Sequence, residues 1–161
     1  MEQVCIPARM GALKNIRNFI TRIGRKHNLS SSDLYAFKAS VDEACSNIIE
    51  HGYGFEDGSI TARAIVHDHR LTIEIVDQGK AFNPTKLTNP DLDNYVKISK
   101  KGGLGIFIMR RLLDEIDYQS TEDGNVLKLT KYLNQTPTAE VSIPALTFVQ
   151  RVKNMFSIAR P

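Results

Sequence analysis

Residues 41–51 read Val41-Asp42-Glu43-Ala44-Cys45-Ser46-Asn47-Ile48-Ile49-Glu50-His51. Ala44, Cys45, Ile48 and Ile49 recur at helical spacing, which makes this an amphipathic helix with those four inward. Glu43 and Asn47 stand four apart, so their side chains leave one face about one turn from each other. A carboxylate and an amide carbonyl so placed can orient a hydroxyl and hold a hard cation. Taken alone, the pair is also what an ordinary solvated helix face contains.

Outward from this stretch, the helix is expected over Asp33–His51. Leu34, Phe37 and Val41 extend its apolar face, Ser31–Asp33 form an N-cap region, and Gly52 is the stop. Before it, Leu13, Ile16, Phe19, Ile20 and Ile23 mark another amphipathic helix within Ala8–His27, and Val4–Ile6 ends at Pro7 as an edge strand. After it the period changes to two. Ser59–Val66 and Leu71–Val76 read as strands around a polar turn at His67–Arg70. A helix over Leu104–Glu115 follows, then strands Ile116–Ser120 and Val126–Leu133 around a hairpin at Glu122–Asn125. This order predicts an α+β two-layer sandwich, a mixed and mostly antiparallel sheet with helices on one face.

Two more segments carry chemistry. Asp77-Gln78-Gly79 directly follows an apolar strand, where rigid backbone can aim a carboxylate at an exocyclic amine and a glycine lets a ring approach the main chain. An Asp-x-Gly turn is the plain alternative. Lys100-Lys101-Gly102-Gly103-Leu104-Gly105 opens a helix, and exposed N–H groups at a positive helix end cradle phosphate. It matches neither GxxxxGK[ST] nor GxGxxG, so a flexible linker fits it equally. Residues 78–103 between them show little periodicity, and loops of that length are functional lids or disordered segments.

The 161 residues carry a net charge of +3, and 42% are hydrophobic. That is a globular balance with too weak a basic excess to argue for nucleic acid. No apolar run is long enough to span a bilayer and no signal pattern opens the chain, so a cytoplasmic protein is expected. Cys5 and Cys45 lack metal-site spacing and are expected to be reduced thiols.

Helix with Glu-x-x-x-Asn, strand-ending Asp-x-Gly, long loop and Gly-x-Gly at a helix start, in that order, resembles the GHKL ATPase superfamily of gyrase, histidine kinases and MutL. The stretches DEACSNIIEHGY, IVDQGKAFNP and GGLGIFIMRRLLDEIDY are more similar to its bacterial anti-sigma-factor serine/threonine kinases. The resemblance covers about Arg9–Leu133 and implies the Bergerat ATP-binding fold. It implies Glu43 as general base, Asn47 as ligand of Mg²⁺, Asp77 and Gly79 at the adenine, and Gly102, Gly103, Leu104 and Gly105 around the phosphates of ATP. Lys101 stands where some members use an arginine toward the γ-phosphate, keeping the charge and losing the fork. Asn83 replaces a second acid. His51 also matches the branch, with a structural role at the helix end preferred.

The resemblance further implies a homodimeric kinase that phosphorylates an anti-sigma-factor antagonist of STAS type and binds a sigma factor. A non-catalytic ATP-binding module is the alternative. A histidine kinase fits worse, because no helical hairpin with a phosphoacceptor histidine precedes Glu43. The expected organisation is an ATP-binding domain over 1–133 and an extension over 134–161. In the extension Ala145, Phe148, Val149, Val152, Met155 and Phe156 form a helical apolar stripe after Pro144.

Overall fold

The computed structural model describes residues 1–81, 83 and 104–133. Alternation builds its sheet. In β2 (Ser59–His67) and β3 (Arg70–Asp77) every second residue points inward, so Ile60, Ala62, Ile73 and Ile75 are fully buried. Asp68 and His69 join the two strands with φ of 46° and 59°, the paired left-handed conformation of a tight hairpin. β1 (Glu2–Pro7) lies against β2, and the hairpin β4 (Glu115–Thr121) and β5 (Gly124–Tyr132) closes the other side through β5. The order is β1-β2-β3-β5-β4, with all four pairings antiparallel among the described strands rather than mixed.

Helices α1 (Leu13–Lys26), α2 (Ser31–Asn47) and α3 (Leu104–Leu112) supply the second layer. Leu13, Ile16, Phe19, Ile20 and Ile23 of α1 are all buried, as their spacing predicts. They share one core with Phe37, Val41, Ala44, Cys45 and Ile49, with Ile106 and Met109, and with the inner face of the sheet. Each such large aliphatic or aromatic side chain contributes about 1.5–3 kcal/mol when taken from water. Burial also pushes the Cys45 thiol pKa well up, with the Asp42 and Asp77 charges adding to the effect, so this cysteine is a neutral core residue. Neither cysteine is bridged.

Three boundaries differ from expectation, each for a local reason. The N-cap of α2 is Ser30, whose Oγ accepts the Asp33 N–H at 3.0 Å and donates to the Asp33 carboxylate at 2.7 Å. At the other end α2 widens into a π-turn over Ile48–Gly52, and the left-handed glycine is Gly54, with φ of 61°, not Gly52. Helix α3 stops at Leu112, short of Glu115, because Asp114 turns back to accept the Tyr132 N–H at 2.7 Å and Glu115 opens β4. Among the described residues no helix is long and apolar enough to cross a membrane. Lys101, Gly102, Gly103, most of the expected 78–103 loop and the 134–161 extension lie outside the described residues.

Candidate nucleotide site

The C-terminal half of α2, the end of β3, α3 and the β4–β5 hairpin surround a cleft that opens to solvent. Ala44, Ile48, Met109 and Leu127 give it an apolar lining. Asn47, Asp77, Lys80, Tyr118 and Asn125 add the polar groups.

Asp77, the last residue of β3, is only 6% exposed. Its Oδ1 accepts two hydrogen bonds, from the Gly79 N–H at 2.8 Å and from Asn125 Nδ2 at 3.0 Å. Asn125 Nδ2 also donates to the Gly79 carbonyl at 2.9 Å, and the Tyr118 hydroxyl donates to Asn125 Oδ1 at 3.0 Å. Among the described residues no donor reaches Asp77 Oδ2. The hairpin tip makes this contact possible. Gly124 has φ of 129°, and a Cβ there would fall 2.5 Å from the Asp77 carbonyl oxygen, so only glycine lets Asn125 come so close.

The segment after Asp77 is held from below. The Gln78 N–H donates to the Tyr53 hydroxyl at 2.9 Å, which in turn donates to the Ser59 carbonyl at 2.9 Å. The Lys80 N–H donates to the Gly52 carbonyl at 2.8 Å. A Cβ on Gly79 would meet the Gly52 backbone at 2.8–3.0 Å. The close approach that Gly79 permits in this structure is therefore to Gly52, across the π-turn.

At the other end of the cleft Glu43 and Asn47 lie one turn apart on α2, and Asn47 Nδ2 donates to Glu43 Oε1 at 3.2 Å. Gly105, in the first turn of α3, packs directly on the Glu43 carboxyl group. Of the expected residues, Asn47 and Asp77 line the cleft; Glu43 is bonded to Asn47, Gly79 to Asp77, and Gly105 packs on Glu43 where the backbone of Leu104 begins α3. His51 is exposed at the π-turn.

Asn125, Tyr118 and Tyr53 were not singled out by sequence. Asn125 reads as a turn residue within Glu122–Asn125. Its signal is positional: it takes the inward slot that Leu127 and Leu129 continue along β5, where a polar side chain needs a buried partner.

The family model for the histidine kinase-like ATPase domain matches residues 6–131, from β1 nearly to the end of β5. The chain belongs to this family. Among members of the histidine kinase-like ATPase family, serine-protein kinase RsbW of Bacillus pumilus is 31% identical over 138 residues, 81% of this chain and 84% of the relative. The RsbW of Bacillus velezensis is 32% identical over 135 residues, 80% and 83% of the two chains. The anti-sigma F factor of Caldanaerobacter subterraneus is 32% identical over 99 residues, 61% of this chain and 69% of the relative. A solved structure, the catalytic domain of histidine kinase ThkA, overlays 82% of this chain and 96% of its own with a TM-score of 0.47 at 14% identity; family membership rests on the sequence matches instead. Those matches put the chain in the anti-sigma-factor kinase branch of an ATP-using family.

Proposed function

We propose that this chain is a protein serine/threonine kinase that uses ATP with Mg²⁺, phosphorylates an anti-sigma-factor antagonist of STAS type, and binds a sigma factor as an anti-sigma regulator. Residues 1–133 are its ATP-binding domain and 134–161 an extension, and it works as a cytoplasmic homodimer. The observation that carries this reading is one cleft lined by a fixed acceptor, Asp77, and by Asn47, the hydrogen-bond partner of Glu43, in a chain about 31% identical to serine-protein kinases.

The donor set fits the nucleotide. With Oδ1 of Asp77 already taken by two N–H groups, Oδ2 is left as the acceptor for the adenine amino group. Asn47 commits its Nδ2 to Glu43, which leaves its Oδ1 for a hard cation. Bound ATP supplies the γ-phosphoryl group, and Mg²⁺ neutralises its charge. Glu43 takes the proton of the partner's hydroxyl, Asn47 keeps that carboxylate aimed, and the apolar lining excludes water. Gly102, Gly103, Leu104 and Gly105 contribute to the phosphate cradle, with Lys101 as the cation beside it.

The test is transfer of labelled phosphate from ATP to a STAS-domain antagonist. Transfer by the native chain and its loss in Glu43→Gln support the kinase reading. ATP binding without any transfer would leave a non-catalytic regulatory module.

A further inference from the structure

Glycine at position 105 has no backbone reason to be there. It lies inside helix α3, outside the left-handed region, where alanine would be the better helix former. The reason is space. A Cβ on Gly105 would lie 1.8 Å from Glu43 Cδ, 1.9 Å from Oε1 and 2.2 Å from Cγ. The Glu43 carboxyl group therefore rests on the bare α-carbon of the facing helix, while Asn47 Nδ2 holds Oε1 at 3.2 Å from its own helix.

From this contact we infer that Gly105 is a positioning residue for Glu43: its missing side chain is the seat of the carboxyl group. Side chains at the first turn of α3 and at residue 43 compete for one volume. The atoms in conflict are the far end of a flexible side chain, not backbone, so the fold absorbs a methyl at 105 by rotating Glu43 away. The result is a folded protein with its base displaced. A displacement near 1 Å costs about 100-fold in a positioned reaction. This inference rests on Glu43 being the base, and it assigns Gly105 to Glu43 rather than to the nucleotide alone.

The experiment uses the full chain as wild type, Gly105→Ala, Glu43→Gln, Glu43→Ala and the double Gly105→Ala/Glu43→Ala. Three readouts are taken: phosphate transfer to a STAS-domain antagonist at saturating ATP, ATP affinity by calorimetry, and Tm without nucleotide. Gly105→Ala should lower the transfer rate at saturating ATP about 100-fold, a larger factor than any loss of ATP affinity. Its Tm shift should not add to that of Glu43→Ala, because removing Glu43 vacates the space the methyl needs. Wild-type transfer by Gly105→Ala, or loss of ATP affinity in step with transfer, overturns the inference while Glu43→Gln still reports on the kinase reading. Additive Tm shifts overturn it whatever the activity. Normal transfer by Glu43→Gln instead removes the base assignment, and the inference falls with it.

Discussion

The two ends of the cleft are held by different physics. At the Asp77 end, strands β3, β4 and β5 converge, and four hydrogen bonds of 2.8–3.0 Å tie Asp77, Gly79, Asn125 and Tyr118 together. Every member is anchored in the sheet or beside it, so under the proposed function the acceptor for the adenine would be fixed before ligand arrives. At the Glu43 end, the carboxyl group is held by one 3.2 Å hydrogen bond within α2 and one steric contact with α3. That end is set by packing, and a small side chain moves it. Under the proposed function, recognition is built rigid, while the Glu43 carboxylate is placed by contact between elements that can shift.

The sharpest break in this comparison is Glu43→Gln. Glutamine keeps the shape and the contact with Gly105 but cannot take a proton. Transfer should fall by about 100- to 10,000-fold, with ATP affinity unchanged by calorimetry. Equal losses in both would merge the two ends into one binding unit.

Asp77→Asn comes next and acts at the opposite end. The amide oxygen must stay toward the Gly79 and Asn125 donors, which turns its NH₂ toward the adenine amine, donor against donor. A hydrogen bond to a charged group is worth about 1.5–3 kcal/mol, so ATP affinity should weaken roughly 10- to 150-fold. Unchanged affinity would take Asp77 out of the adenine role.

How much of this was legible depends on whether the signal is local. The face of α1 could be read because five apolar residues repeat along one short segment, and all five are buried. The β2–β3 hairpin was legible for the same reason. Glu43, Asn47 and Asp77 stood out because each sits at a marked place in its own element. Asn125 did not, since its role comes from the register that sets it opposite Asp77 across two strands 48 residues apart in sequence. Pairing between distant strands leaves no trace in either one, and neither does the seat of Glu43 on Gly105, a contact between two helices. The helical run does end at Gly52, as expected, but the π-turn that ends it has the same long-range origin. The backbone there is committed to Gly79 and Lys80, and the left-handed angle falls two residues later, at Gly54.

Asn125→Ala tests the rigid end without touching the acceptor itself. It removes the donor to Asp77 Oδ1 and to the Gly79 carbonyl, and the acceptor of the Tyr118 hydroxyl bond. Loss of the hydrogen bond to the buried, charged Asp77 costs about 1.5–3 kcal/mol. Thermal stability should drop, and ATP affinity should weaken by about one power of ten. Glu43-dependent transfer at saturating ATP should stay near wild type. A fall in that rate would mean the two ends are coupled.

Tyr118→Phe is the mildest change and the most discriminating. The ring stays in its inward slot on β4, so packing is kept and only the hydroxyl that donates to Asn125 Oδ1 is lost. A neutral hydrogen bond contributes about 0.5–1.5 kcal/mol net, so ATP affinity should weaken roughly 2- to 12-fold. The hydroxyl reaches Asp77 through Asn125, which orders the consequences. If Tyr118 acts by orienting Asn125, its removal in the Asn125→Ala background should change affinity no further. If the two losses add, Tyr118 reaches the nucleotide by its own route along the cleft wall, and the rigid end has two independent supports instead of one chain of hydrogen bonds.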